Sequence, residues 1–242
     1  MKLMPTIVAV CMATPSTALF LVNNAWKFAK IPTDGLDDIT FAFNLKNAPH
    51  KRGFYSSQEF NFFNVSAVGY MGVQPRPDSN GKSIVHAAFS SFQKGATTKH
   101  RNCHNGADGG PGISCSVDIE GDYSHTYNLT VETSGERTWK GTMVDTVTGM
   151  ATVIGEWTLP YGSGKLKNGE LGFVEYFLWD SRSPHACDTL PKTEVTIFDP
   201  TSRTNGASGG NMGRPYAVGN CRGKAGYSAT QVSSGWNIKV GF

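Results

Sequence analysis

The feature that most constrains this chain is a side-chain alternation of period two. It recurs along most of the sequence, with no long stretch of helical period to set against it. Phe41, Phe43 and Leu45 alternate with Thr40, Ala42 and Asn44; Ile113, Cys115, Val117 and Ile119 alternate with Ser114, Ser116 and Asp118. Near the end, Trp236, Ile238, Val240 and Phe242 alternate with Asn237, Lys239 and Gly241. Successive side chains of a strand point to opposite faces, so each pattern marks a strand with one buried face. Further strands are expected over 19–29, 58–73, 83–92, 137–147, 151–159, 171–179, 193–198 and 225–232. Turn residues separate them, as in Pro32-Thr33-Asp34-Gly35, Asp78-Ser79-Asn80-Gly81, Asn168-Gly169 and the stretch 204–213. About a dozen short strands punctuated in this way predict an all-β fold, a single two-sheet antiparallel β-sandwich or jelly roll. No repeat or composition break marks a linker, so residues 19–242 are expected to form one domain.

Charge narrows the partners. The formal net charge is +3, and the basic residues are scattered singly or in small groups such as Lys51-Arg52. A nucleic-acid surface needs clustered cations to neutralise phosphates, and no such stripe exists here. A DNA or RNA partner is not expected.

The first eighteen residues read as an export signal. Lys2 precedes an apolar stretch from Leu3 to Ala13, and the small residues Ser16 and Ala18 suit a cut after Ala18. That stretch is too short to span a bilayer, so no membrane span is expected. Of five cysteines, Cys11 lies inside the signal, which leaves Cys103, Cys115, Cys187 and Cys221. An even number suits an oxidising, extracellular location. Four cysteines allow three pairings, which sequence does not choose among. The pairing expected here, Cys103–Cys115 with Cys187–Cys221, closes the local loops. Two glycosylation sequons begin at Asn64 and Asn128. Alternation in β-structure turns Asn128 away from Tyr127, Leu129 and Val131, so it is expected to be exposed. Asn64 shares a face with Phe60 and Phe62 and is expected to be less accessible.

Several chemistries can be weighed on the residues. Gly206-Ala207-Ser208-Gly209-Gly210 matches the serine-hydrolase elbow in letters, but that elbow needs a strand before it and a helix after it. A glycine-rich turn is the expectation. His100, Cys103, His104 and Cys115 fit no zinc spacing, and oxidised cysteines cannot bind zinc as thiolates. Asp34, Asp37 and Asp38, or Asp108, offer oxygen ligands for calcium without a calcium-loop spacing. Surface turns favour the same residues.

The segment that most suggests a binding face is Gly172-Phe173-Val174-Glu175-Tyr176-Phe177-Leu178-Trp179. Strand alternation puts Glu175 on one face with Phe173, Phe177 and Trp179. A carboxylate among aromatic rings is costly unless it is paired or opens onto a groove. The bland outcome is a core carboxylate satisfied by an arginine or the backbone. The functional outcome is a glycan-binding groove, in which rings stack on sugars and Glu175 accepts hydroxyl hydrogen bonds. Gln74 and Arg76 add polar groups to it. A glycosidase needs two carboxylates across a cleft, for which Glu59, Asp145 and Glu156 are candidates beside Glu175. A lyase needs a base and a charge neutraliser, for which His125, Tyr123, Tyr176 and Arg76 are available.

The set Gly69-Tyr70-Met71-Gly72-Val73-Gln74-Pro75, Phe89-Ser90-Ser91-Phe92, Asp108-Gly109-Gly110-Pro111-Gly112, Asp122-Tyr123-Ser124-His125, Trp139-Lys140-Gly141-Thr142 and Gly172-Phe173-Val174-Glu175-Tyr176 resembles a secreted fungal and bacterial family, domain of unknown function 3472. The resemblance covers residues 20–242 and implies a concanavalin-like sandwich in an exported protein. It implies no reaction and carries over no site residue. The leading expectation is a secreted carbohydrate-binding or cell-wall-associated protein. A polysaccharide lyase or glycoside hydrolase on the same fold, and an effector that binds a host protein, are the alternatives.

Overall fold

The computed structural model describes residues 21–179 and 185–242, so the expected signal segment and Cys11 lie outside it. Among the described residues sixteen strands pair into two sheets, and every pairing of named strands is antiparallel. The nine-stranded sheet runs β13 (Ser208–Met212), β1 (Leu21–Lys30), β11 (Glu170–Tyr176), β3 (Phe54–Phe60), β4 (Gly69–Ser79), β5 (Lys82–Ser91), β7 (Gly110–Gly121) and β6 (Cys103–Ala107), with β14 (Tyr216–Val218) also on β1. The seven-stranded sheet runs β10 (Ala151–Thr158), β9 (Thr138–Asp145), β8 (Thr126–Thr133), β2 (Asp38–Asn44), β12 (Thr193–Phe198), β16 (Gly235–Val240) and β15 (Ser228–Val232). The single helical turn among the described residues is a 3-10 turn at Cys187–Thr189, and no helix there is long and apolar enough to cross a membrane.

The alternation read from the sequence is the alternation of burial. In β2, Ile39, Phe41 and Phe43 are fully buried while Thr40, Ala42 and Asn44 are only partly so. The inner faces of both sheets contribute to one contiguous apolar cluster. Its packing is set partly by two glycines. Gly141 and Gly155 are cross-strand partners in β9 and β10. An added Cβ on Gly141 would lie 2.5 Å from the Phe89 ring, and one on Gly155 would lie 2.4 Å from Cys115. Phe89 and Cys115 are themselves partners on β5 and β7, and Phe89 stacks on Trp157 at 4.8 Å. A bulky pair on one sheet therefore seats in a pair of glycines on the other.

Both expected disulfides are present, Cys103–Cys115 and Cys187–Cys221. The first joins directly paired positions of β6 and β7.

Four expectations need correction. The run 58–73 is not one strand: β3 ends at Phe60 and β4 begins at Gly69, because Asn64 takes a left-handed backbone (φ 58°) and turns the chain. That turn also exposes Asn64, whose side chain donates to the Gly162 carbonyl, whereas Asn128 is half-buried in β8. Residues 208–212 are not loop but the edge strand β13. Ser208 pairs with Lys30 there, and no helix follows it to form a nucleophile elbow. The short strands β6 and β14 are additions to the expected set, since strands of five small or polar residues or of three residues leave no alternation to read.

Candidate functional site

The outer face of the nine-stranded sheet, opposite the core, carries the chemistry. Register defines its rungs. Glu175, Tyr55, Gln74, His86 and Asp118 follow one another across β11, β3, β4, β5 and β7, the Tyr55–Gln74 step continuing the Ser56–Val73 register. The next rung on the same face is Phe173, Ser57, Gly72, Ala88 and Ser116. The one beyond it holds Glu59, Tyr70, Ser90, Ser114 and His104.

The middle rung is built of small residues on β3 to β7, and aromatic rings fill the space above it. Tyr55, Tyr70 and Ala88 form a second buried cluster, with Phe92, Phe173 and Phe177 packed against it. The rings meet edge to face: Tyr55 and Tyr70 lie 5.4 Å apart at 72°, and Tyr55 and Phe173 lie 5.6 Å apart at 80°. Gly72 allows β3 and β4 to close at this point, since an added Cβ would sit 2.1 Å from the Ser56 carbonyl oxygen.

Three carboxyl groups border the cluster. Glu175 is half-buried, and burial, followed by the charges of Asp108 and Glu59, raises its carboxyl to about 7. Burial and then Glu170 raise Glu59 to about 7 as well. Burial also raises Asp108, whose carboxylate accepts the Tyr70 hydroxyl at 3.3 Å. Asp108 comes from the tight β6–β7 turn, where it has a φ of 47° and precedes Gly109. The Cys103–Cys115 bridge fixes the two strands that carry this turn.

Tyr55 is only 4% exposed, and its hydroxyl has no partner among the described residues. Burial, then the neighbouring Tyr70, pushes its ionisation far up, with the adjacent Ser57 side chain opposing the shift and Asp108 and Glu175 adding to it. Tyr55 is therefore a neutral donor at any physiological pH. A buried unpaired hydroxyl is uncommon in folded proteins, and it leaves hydrogen-bonding capacity beside the two acids.

The site residues expected from the sequence divide. Glu175 lies with Phe173 and Phe177, as the alternation implies, and Gln74 stands on its rung. Arg76, two residues along, donates to the Gln74 side-chain oxygen at 2.7 Å. Tyr176 stands off this face, as the same alternation implies, and Trp179 is a correction. Tyr176 has the opposite parity and packs on Phe54, and β11 ends at Tyr176, so Trp179 leaves the alternation and packs on Tyr176 and His185. His125 is not brought to Glu175 either. It bonds Asp145 at 2.9 Å and lines a separate cavity of about 550 Å³ with Asp122, Met143 and Tyr127. Of the carboxylates considered as partners for Glu175, Asp145 is there with His125, Glu156 accepts from Ser134, and Glu59 alone is on the Glu175 face.

The cation-site expectations also change. Asp34 and Asp37 both hold Lys165, at 2.8 and 3.0 Å, and Asp38 accepts the Arg203 backbone N–H at 3.0 Å. Among the described residues no group of His, Cys, Asp or Glu has a metal-binding arrangement. Tyr55, Tyr70, Phe92 and Asp108 join the face only through the fold. A turn aspartate more than thirty residues from Tyr70 gives no local signal of that contact.

The raised carboxyls predict a pH dependence of stability. Glu59 and Glu175 titrate near 4.5 when unfolded and near 7 when folded. The folded chain then holds protons that the unfolded chain releases, so stability falls as pH rises from about 4.5 to 7. Each group contributes at most about 3 kcal/mol by its shift, reduced by the water that still reaches it. Asp145 moves the other way: burial raises it, but its His125 bond and the Val147 and Thr148 backbone N–H groups together lower it, which costs stability only in stronger acid. Calorimetry should give a higher Tm at pH 5 than at pH 8, with E59Q and E175Q each flattening the profile. A Tm that rises steadily from pH 5 to 8 would contradict the assignment.

No family model matches the chain, and no curated protein does. Among solved structures it is similar to a scytalido-glutamic peptidase with a transition-state analogue inhibitor, with a TM-score of 0.49, 10% identity, and coverage of 93% of this chain and 100% of that one. A scytalido-glutamic peptidase with a peptide-based transition-state analogue gives a TM-score of 0.47, 11% identity, and 93% and 100% coverage. SCP-B, a member of the Eqolisin family of peptidases in complex with the tripeptide Ala-Ile-His, gives 0.40, 10%, and 90% and 97% coverage. No residue of this chain takes a role from these likenesses.

Proposed function

We propose that the outer face of the nine-stranded sheet is the substrate face of a hydrolase that cleaves an extended polypeptide, with Glu175 as its acid–base group. The observation that carries this is a half-buried carboxyl on an aromatic face, raised to about 7, beside the unpartnered Tyr55 hydroxyl. A catalytic acid–base group works best with its pKa near the working pH, and burial is a common way to raise a glutamate that far. In the reaction, ionised Glu175 takes a proton from water as the water oxygen bonds to the peptide carbonyl carbon. Tyr55, whose hydroxyl is covered in the free protein, is uncovered as the peptide seats and donates a hydrogen bond to the oxyanion that forms. The C–N bond then breaks, and Glu175 returns the proton to the leaving nitrogen.

Polypeptide is favoured over glycan by the aromatic packing. A sugar platform presents ring faces to solvent, whereas Tyr55 and Tyr70 are buried and turned edge to face. Partly open Phe92, Phe173 and Phe177 suit apolar side chains. A glycan-binding face is the second reading, favoured by the polar strip Gln74, His86, Asp118, Ser114 and Ser116 on the same side. The bridged cysteines suit an oxidising compartment, so the reading puts the protein outside the cytosol.

The test is incubation with an unfolded protein, a mixed peptide pool and a polysaccharide panel between pH 3 and 8. New peptide termini by mass spectrometry support the hydrolase. Retention on a polysaccharide with no peptide cleavage supports the second reading and overturns the first.

A further inference from the structure

On the same outer face as Glu175 stand two arginines that make no ion pair among the described residues. Among the described residues the Arg76 side chain bonds only neutral acceptors, the Gln74 side chain at 2.7 Å and the Pro75 carbonyl at 3.1 Å. Arg52 lies over the Phe177 ring at 5.6 Å. Among the described residues neither guanidinium lies within ion-pair distance of a carboxylate. Burial, against the pull of Asp118 and together with the charge of Arg52, makes the Arg76 proton less firmly held than usual. Asp118 acts on Arg76 without reaching ion-pair distance, and its side chain bonds His86 at 2.7 Å. A half-buried guanidinium without a carboxylate is poorly compensated, and two that repel each other on one face more so.

We propose that Arg52 and Arg76 form a subsite for a carboxylate of the bound polypeptide. The proposal rests on the hydrolase reading and names its substrate class. Arg76 keeps several of its N–H donors free, and its bond to Gln74 turns the guanidinium toward the Glu175 rung. Planar guanidinium donors match a carboxylate in pairs. Gln74 is two strands from Glu175, about 10 Å at the usual strand spacing, so the carboxylate belongs to a residue about two or three positions from the scissile bond. That carboxylate is either an acidic side chain or the chain's own C-terminus.

The experiment measures binding separately from cleavage. Capped octapeptides carrying one Glu at each position in turn, their Gln counterparts, and uncapped forms with a free C-terminal carboxylate are titrated by intrinsic fluorescence, then tested for cleavage. One register of the Glu series should bind about tenfold tighter than its Gln counterpart, and this preference should weaken with salt. In R76Q the ratio should fall to about two or less, with R76K restoring it only in part. R52Q, an exposed change that leaves the Arg76 bonds in place, should lower it by about threefold. Preference for the uncapped forms alone would assign the subsite to a C-terminus. Equal binding of all Glu and Gln peptides with no gain from a free C-terminal carboxylate, or a preference that survives both R76Q and R52Q, overturns the subsite. Absence of cleavage with the preference intact overturns the hydrolase reading and leaves the subsite standing.

Discussion

E175Q should lower peptide-cleaving turnover by about a thousandfold while leaving the protein folded. Proton transfer by a positioned side chain contributes roughly 10²–10⁴-fold to rate, and glutamine keeps the shape of glutamate without its proton chemistry. The substitution also removes a carboxyl that is costly to ionise in place, so E175Q should melt higher than the native protein at pH 8 and nearly the same at pH 5. The combination is diagnostic. A residue with only a structural role loses stability when changed, whereas this one should lose activity and gain stability. E59Q should share the gain at pH 8 and lose much less turnover, since Glu59 lies four residues further along the face, about 13 Å at the strand rise. If E175Q turns over like the native protein, Glu175 is not the acid–base group, whatever its pKa.

F89A should cost about 4 kcal/mol, the usual range for deleting a buried phenylalanine. For a chain of this size that is a fall of roughly 10 °C in Tm. Phe89 is fully buried, stacks on Trp157 and fills the place of the missing Gly141 side chain. G141A should be destabilising by about 2 kcal/mol for the opposite reason, because its methyl would overlap the Phe89 ring. Together in one chain the two should cost clearly less than their sum, since the methyl added at position 141 then occupies part of the space Phe89 vacates. Strict additivity by chemical denaturation would mean that the two positions do not contact each other as described.

The sequence is most legible where one strand face is apolar. β2, β7, β12 and β16 can be read because Ile39 to Phe43, Ile113 to Ile119, Val195 to Ile197 and Trp236 to Val240 alternate cleanly. It is less legible on β3, where Ser56, Ser57 and Gln58 are all buried although polar. Ser57 is roofed by rings on the outer side, and Gln58 faces the core beside Gly172. Polarity there does not report the face, and hydrophobic pattern alone cannot separate the two sides. Glu175 stands out because a charge among aromatic residues in a strand is unusual on its own. Its neighbours do not, since Tyr55, Tyr70 and Asp108 come from three other strands or turns, and only register brings them together. Trp179 departs from expectation for a local reason: the strand ends at Tyr176, before the alternation reaches it.

The rungs of the nine-stranded sheet also bear on how such a protein can change over generations. Along β3, β4 and β11, residues locked into the interior alternate with residues that make up the working face. Each strand thus interleaves two nearly independent inheritances. Exchanges at positions 59, 74, 76, 173 and 175 can redirect what the face recognises while Phe54, Phe60, Met71, Val73 and Val174 keep the scaffold intact. Descendants of one such chain could therefore diverge widely in what they recognise while their backbones stay superimposable.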